Sequence, residues 1–147
     1  DLKFGFDMSE AHGLCLCFDI AYHLPDYKHC LNDLKQLGFK DEYLLHYNGG
    51  VIFFNKTPIM SQFFAVLKNV VCYNDNIIPQ TALSFLITKQ KINPFVLPYT
   101  WNYRPHYSHV FPHGPIKIWH SREVLPDEES SAFFNCRNSE MCNQLFI

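Results

Sequence analysis

The stretch Asn48-Gly49-Gly50-Val51-Ile52-Phe53-Phe54-Asn55-Lys56-Thr57-Pro58 decides the fold class of this chain. Residues 51–54 are apolar, β-branched and aromatic, a composition typical of a buried strand. Thr57 followed by Pro58 is a helix start signal, because threonine caps the first turn and proline presets the first helical φ. The next residues, 59–70, carry apolar side chains at helical spacing. A buried strand followed directly by an amphipathic helix indicates an α/β domain.

The segments on either side of this stretch repeat the alternation of strand and helix. Further strand candidates are residues 13–21, 95–97 and 116–119, and further helix candidates are residues 26–37, which end at Gly38, and residues 79–89. We therefore expect an α/β fold with a mixed, mostly parallel sheet flanked by helices. One domain over residues 1–125 is predicted, followed by a weakly helical tail over residues 126–147.

Length and charge exclude several classes of protein. The chain has 147 residues, 12 Lys and Arg against 14 Asp and Glu, and a formal net charge of −2. A nucleic-acid partner is therefore not expected, because counterion release needs a basic surface. With 48% hydrophobic and 18% charged residues the chain is expected to be globular. No apolar run approaches the roughly 18 residues that a membrane helix requires, so no membrane span is predicted.

The six cysteines do not follow a zinc-finger pattern. Structural zinc sites use C-x(2–4)-C pairs, and the chain has none. Cys15 and Cys17 form a C-x-C pair that places both thiols on one face of a predicted strand, where cysteine acts as a small buried hydrophobe. Cys136 and Cys142 pair only if the tail lies in an oxidising compartment, and the sequence leaves both states open.

Four histidines cluster within fifteen positions: His106, His109, His113 and His120. A transition-metal site is one interpretation, but Pro112 and Pro115 prevent the continuous helix that would align the four rings. Polar loop residues near a cleft are the simpler interpretation. Hydrolase elbows of the G-x-S-x-G kind and phosphate-binding glycine loops are missing from the sequence. Spacing alone does not exclude a hydrolase that uses a Cys–His pair.

Two motifs stand where ligand sites commonly form. Gly49 and Gly50 directly precede a predicted buried strand, and glycines there let the backbone approach another group closely. His120 directly follows the strand candidate at 116–119, and Arg122 comes two residues later. Ligands of open α/β sheets lie beyond the carboxyl ends of strands, so both side chains are predicted to face an anion or a metal. An ordinary turn and a structural histidine are the alternatives.

In their order and separations these segments resemble the C-terminal half of GT-A-type nucleotide-diphospho-sugar transferases, the glycogenin-like and galactosyltransferase-like glycosyltransferases. The likeness is carried by Asn48-Gly49-Gly50-Val51, by Leu97-Pro98-Tyr99-Thr100-Trp101-Asn102-Tyr103 and by the final strand that runs into His120. Pro79-Gln80-Thr81-Ala82-Leu83 is similar to the family's Asp-Gln-x-Ala-Leu-like helix start. The resemblance covers most of residues 18–122.

The resemblance implies transfer of a sugar from a nucleotide-diphosphate donor to a hydroxyl of a carbohydrate or protein acceptor. It implies a partial GT-A fold and assistance by Mn²⁺ or Mg²⁺, which would neutralise the leaving diphosphate. The residue roles that it implies are a metal ligand at His120, catalytic residues at Gln80 and Asp75, and substrate-binding residues at Asn48, Gly49, Gly50, Trp101, Asn102, Lys117 and Arg122.

The chain departs from the family in three respects. It lacks an Asp-x-Asp motif that opens on a strand end, and the nucleotide-binding N-terminal half is expected to be missing. Pro79 stands where the family often has Asp, and Asp75 is the nearest substitute. The alternative function is therefore a catalytically inactive GT-A-like domain that binds a sugar or a protein. An isolated half-domain also exposes apolar surface, which favours a homodimer. Cytoplasm and Golgi lumen both stay open as compartments.

Overall fold

The computed structural model describes residues 2–23, 28–40, 43–74, 77–104 and 115–120. The chain divides into a larger unit, residues 3–96, and a smaller unit formed by residues 1–2 with residues 97–147. The larger unit contains α1 (Lys3–His12), β1 (Leu14–His23), α2 (Lys28–Gln36), β2 (Leu45–Phe54), α3 (Pro58–Tyr73), α4 (Pro79–Lys89) and β3 (Phe95–Val96). The predicted α/β class is confirmed by this order of elements.

The sheet of the larger unit has the order β2-β1-β3. β1 runs antiparallel to β2 over the longer ladder and parallel to β3 over two residue pairs. The sheet is mixed, as predicted, but its longer ladder is antiparallel rather than parallel. The sequence did not indicate this direction because β1 is buried on both faces, and such strands show the same continuous apolar pattern in either orientation.

β2 is longer than the strand predicted at residues 51–54, because it begins at Leu45. Its register with β1 is regular from Phe54 to Ile52, which faces Leu16, and then shifts so that Asn48 faces Cys17. Residues 49–51 therefore bulge out of the ladder, and we call them the glycine bulge. Glycine suits such a position because it carries no side chain and tolerates irregular backbone geometry.

The predicted ends of two helices are confirmed by their capping bonds. Thr57 Oγ1 accepts a hydrogen bond from the Met60 backbone N–H at 3.2 Å at the start of α3. α2 is followed by Gly38 at φ +77°, and the backbone N–H of Phe39 donates to the Leu34 carbonyl at 2.8 Å. This 6→1 bond is the C-terminal arrangement that glycine favours.

α1 was not among the sequence-based predictions. Its aromatic residues Phe4 and Phe6 are 45% and 58% exposed, so burial of a broad apolar face does not define this helix. It contacts the sheet through the rings of Phe4 and Phe6, which pack against Phe95 and Phe53, and through the small residue Gly5, which lies against the Phe53 ring. Within the described ranges, no helix combines the length and apolar character that crossing a bilayer requires.

The core of the larger unit lies between the central strand and two helices. Residues 14–17 of β1 are at most 1% exposed, and Phe63 of α3 is fully buried. Residues 81–87 of α4 are all buried, so this helix is covered around its whole circumference. α4 contacts β2, α3 and α2. The first turn of α4 therefore lies next to residues 46–49 of β2.

In the smaller unit, a 3-10 helix over Tyr99–Asn102 precedes an isolated parallel bridge between Tyr103 and Trp119. The predicted strand at 116–119 is therefore reduced to this one bridge. The Lys117 backbone N–H donates to the Thr100 carbonyl at 2.8 Å. The predictions for Asp75, Arg122 and the tail at residues 126–147 lie outside the described residues.

Candidate functional site

Four polar side chains from three elements of the larger unit form a connected cluster, which we call the polar cluster. They are Asp19 of β1, His46 and Asn48 of β2, and Gln80 of α4. Asp19, His46 and Asn48 are only 6%, 3% and 3% exposed, and Gln80 is half-buried. Buried polar groups of this kind destabilise a fold unless they are hydrogen-bonded. Their bonds therefore determine the arrangement of the site.

The local sequence places each member of the cluster. His46 and Asn48 lie two residues apart in β2, so both side chains project from the same face of the strand. Pro79 begins α4, which puts Gln80 in its first turn. A carboxylate near a helix N-terminus is favoured by the backbone dipoles, and Asp19 lies within hydrogen-bond distance of Gln80.

Two side-chain amides meet the same carboxylate oxygen. Gln80 Nε2 donates to Asp19 Oδ2 at 2.7 Å, and Asn48 Nδ2 donates to the same atom at 2.8 Å. Each amide oxygen accepts from the glycine bulge: Gly49 N–H donates to Gln80 Oε1 at 3.2 Å, and Gly50 N–H donates to Asn48 Oδ1 at 2.8 Å. The two amides thus connect the exposed glycines to the buried carboxylate.

The histidine of the cluster also contacts Gln80. Nε2 of His46 lies 2.9 Å from Nε2 of Gln80, at hydrogen-bond distance. α4 also holds the backbone of β2 between His46 and Asn48, because the Tyr47 N–H donates to Ser84 Oγ at 3.0 Å. α4 therefore supports the glycine bulge through a side-chain amide and the strand just before the bulge through a hydroxyl.

A second carboxylate supports the start of α4. Asp33 Oδ2 accepts a hydrogen bond from the Ile78 backbone N–H at 2.9 Å. Burial raises the pKa of the neighbouring Cys30 thiol, and the charges of Asp33 and Asp19 raise that pKa further, whereas a hydrogen bond from Thr81 lowers it. Cys30 is therefore a protonated core thiol rather than an activated nucleophile.

The two cysteines of the C-x-C pair are also core thiols. Burial raises the pKa of Cys15 to about 11 and that of Cys17 to about 12. Thiols with such pKa values are protonated near neutral pH, and the thiolate is the form that attacks substrates or binds metal ions. The expectation that Cys15 and Cys17 act as small buried hydrophobes is confirmed.

The smaller unit holds the other sequence-predicted residues that the structure describes. Nδ1 of His120 lies 2.7 Å from Oδ1 of Asn102, which is 1% exposed. Trp101 is 5% exposed, so little of its ring is available for stacking on a sugar. Lys117 is exposed. Among the rings of this unit that the structure describes, those of Tyr99 and Trp119 are more accessible than that of Trp101.

The structure thus brings four predicted residues together, namely Asn48, Gly49, Gly50 and Gln80, and it pairs His120 with Asn102. Sequence reasoning did not assign Asp19 and His46 to the site. Asp19 is the one charged residue in the apolar run at 14–21, and a carboxylate buried there needs donors. His46 lies two positions before Asn48, which is the spacing of one strand face.

Among the residues that the structure describes, no three His, Cys, Asp or Glu side chains are grouped in a way that could hold a metal ion. His120 is therefore a single candidate ligand within those residues, and Mn²⁺ or Mg²⁺ stays a prediction of the family resemblance. Comparison with known proteins found no matching family model, no matching curated protein and no matching solved structure.

Proposed function

We propose that the chain is part of a glycosyltransferase and binds a nucleotide-diphosphate sugar or its acceptor at the glycine bulge. The observation that carries the proposal is the hydrogen bond from the Gly49 N–H to Gln80 Oε1, at 3.2 Å. It lies within a cluster that also contains Asn48 and Asp19. The resemblance assigns Asn48, Gly49 and Gly50 to substrate binding and Gln80 to catalysis, and hydrogen bonds join these four residues, partly through Asp19. Their grouping supports the proposal, because the chain separates Gln80 from Asn48 by a whole helix.

The chemistry of the glycine bulge suits a ligand rich in hydroxyl groups. Gly49 and Gly50 are exposed, and without side chains they permit a sugar ring to approach the backbone closely. Asp19 is too deeply buried to contact a ligand directly, so its proposed role is to hold the two amides. The glycine bulge is preorganised, because its backbone N–H groups are hydrogen-bonded to side-chain amides that Asp19 holds in place. Less conformational entropy is therefore lost when a ligand binds.

The metal-dependent part of the proposal concerns His120. Its Nδ1 faces Asn102, so a cation would be held by its other ring nitrogen, as in metal sites where a second group orients the imidazole. A bound divalent cation would supply charge that stabilises the leaving diphosphate. The carboxylates that such a cation prefers are not grouped around His120 within the described residues.

A second candidate function is a catalytically inactive domain that binds a sugar. The observation in its favour is that Asp19, the carboxylate of the polar cluster, already accepts hydrogen bonds from two amides. A carboxylate held in this way orients other groups and does not act as a general base.

The experiment that tests the proposal is calorimetric titration of the 147-residue chain with UDP, UDP-glucose and UDP-galactose, each with and without Mn²⁺. The decisive variant is Gly49→Ala, whose new Cβ would meet Leu83 Cδ2 at 3.5 Å, an ordinary contact. We expect this variant to keep its stability but to lose binding, because the methyl group also projects from the exposed bulge.

The outcomes separate the two candidates. Binding heat that requires Mn²⁺ and is lost in His120→Ala supports the transferase. Binding heat that does not require Mn²⁺ supports the sugar-binding domain. Heat that Gly49→Ala leaves unchanged would show that the ligand binds elsewhere in the chain. No heat with any of the three probes would contradict binding of a nucleotide-diphosphate sugar at the glycine bulge.

A further inference from the structure

The side-chain amide of Gln80 can adopt only one orientation in the polar cluster. Gly49 N–H is a donor and therefore requires the amide oxygen at 3.2 Å. The Asp19 carboxylate is an acceptor and requires the amide nitrogen at 2.7 Å. A rotated amide would place oxygen against oxygen at Asp19 and two donors against each other at Gly49. The positions of the Gln80 oxygen and nitrogen are thus determined by their partners.

The orientation of this amide determines the protonation pattern of His46. The amide nitrogen of Gln80 is a donor only, and it lies 2.9 Å from Nε2 of His46. Nε2 must therefore accept the hydrogen bond, and the ring proton must reside on Nδ1. Protonated Nε2 would place two donors face to face. Nε2 of His46 is consequently the acceptor of the hydrogen bond from Gln80.

We propose that Gln80 is a positioning residue: it holds His46 as the Nδ1–H tautomer and ties the glycine bulge to Asp19. Both N–H bonds of its amide are used, one toward Asp19 and one toward His46. Gln80 can therefore donate to a sugar only by breaking a bond within the cluster. Its contribution to binding is to orient Gly49 rather than to contact the ligand. Only this last step rests on the proposed function.

The test is the tautomer of His46, measured by long-range ¹H–¹⁵N correlation on the ¹⁵N-labelled 147-residue chain without ligand. This spectrum distinguishes protonated from unprotonated ring nitrogens, and His46→Gln identifies the signals of His46 by their loss. We expect an unprotonated Nε2 and a protonated Nδ1 in the wild-type chain. A protonated Nε2 would overturn the proposal.

The decisive variant is Gln80→Glu, because a carboxylate accepts hydrogen bonds and does not donate them. In this variant His46 must donate from Nε2, so we expect the proton to appear there. Gln62→Glu makes the same chemical change at an exposed position of α3 and is expected to leave the His46 signals in place. A Gln80→Glu spectrum identical to that of the wild type would overturn the proposal.

A further variant covers the case in which Gln80→Glu does not fold, since it brings a second carboxylate to Asp19. Gln80→Met preserves the length of the side chain without its hydrogen bonds, and we expect both tautomers of His46 to be populated. Retention of the single Nδ1–H tautomer in Gln80→Met would show that Gln80 does not set it.

Titration of the same variants with UDP-glucose separates this inference from the proposed function. If the tautomers behave as expected and the wild type binds no sugar nucleotide, the positioning role stands and the proposed function fails. If the wild type binds and Gln80→Met keeps that affinity, the effect of Gln80 on ligand binding is contradicted. We expect Gln80→Met to weaken binding by about tenfold, the equivalent of one lost hydrogen bond.

Discussion

The amide nitrogen of Gln80 lies 2.7 Å from Asp19 Oδ2, although 61 positions of the chain separate the two residues. Asn48 reaches the same oxygen at 2.8 Å from a third element. One buried carboxylate therefore joins β1, β2 and the first turn of α4. The connection attaches the exposed glycine bulge to the folded core through hydrogen bonds.

Replacement of Asp19 by Ala is expected to destabilise the chain strongly. The change removes the acceptor of two amide donors that remain inside the fold, and unpaired buried donors are costly. We expect the free energy of unfolding to fall by about 3 kcal/mol, measured by urea denaturation. The matched control is Asp7→Ala, which removes an exposed ion pair with Lys3 and is expected to cost at most about 0.5 kcal/mol. Equal losses in both variants would contradict the central role of Asp19.

Gly5→Ala is expected to destabilise the chain, although alanine is the better helix former. A Cβ at this position would lie 2.8 Å from Cζ of Phe53, which is buried and also packs against Phe6. Overpacking in a filled core costs about 1–3 kcal/mol, more than the roughly 1 kcal/mol gained in helix propensity. The measurement is the thermal midpoint of unfolding.

A rescue variant checks the cause of this loss. In a Phe53→Leu background the ring that Gly5 contacts is gone, so Gly5→Ala is expected to cost less there than in the wild type. An unchanged cost in the two backgrounds would show that the methyl group of Ala meets something other than the Phe53 ring.

Thr57→Ala is expected to lower the free energy of unfolding by about 1 kcal/mol. The hydroxyl of Thr57 accepts from the Met60 N–H at 3.2 Å, and alanine leaves that donor at the start of α3 without its cap. Thr57→Ser keeps the hydroxyl and is the control, with an expected change close to zero. If the serine variant loses as much stability as the alanine variant, the cap is not the cause.

The stability of the chain is expected to fall in alkaline solution because of its buried thiols. The pKa of Cys15 is raised to about 11 and that of Cys17 to about 12, against 9.0 for an ordinary thiol. Above pH 9 the unfolded chain loses these protons while the folded chain keeps them. The stability that the two protonated thiols contribute is therefore fully present below pH 9. It is lost as the pH rises toward the pKa values of the thiols in the folded chain.

Between pH 9 and its pKa in the folded chain, each of the two thiols is expected to lower the free energy of unfolding by about 1.4 kcal/mol per pH unit. The measurement is urea denaturation at about pH 8 and about pH 10, with a chain carrying Cys15→Ala and Cys17→Ala as the control. The variant is expected to lose less stability between the two conditions than the wild type. Parallel losses would assign the alkaline effect to other groups.

The elements of this chain were largely predictable from local sequence. Thr57-Pro58 and Gly38 mark helix ends through capping bonds that involve near neighbours, and the apolar run at 13–21 marks a buried strand. Such signals are local because capping and side-chain periodicity depend on residues within a few positions. The glycines before residues 51–54 predicted a close backbone approach or a turn, and the structure places both inside β2, in the glycine bulge.

Only the tertiary structure decided the direction of β2, its early start at Leu45 and the composition of the polar cluster. Strand direction depends on how connected segments pack, and β1, the strand with which β2 pairs, is buried on both faces and carries no sequence signal for it. Asp19, His46 and Gln80 come together because β1, β2 and α4 converge. Hydrogen bonds between residues so distant in sequence depend on where each element packs, which local chemistry does not encode.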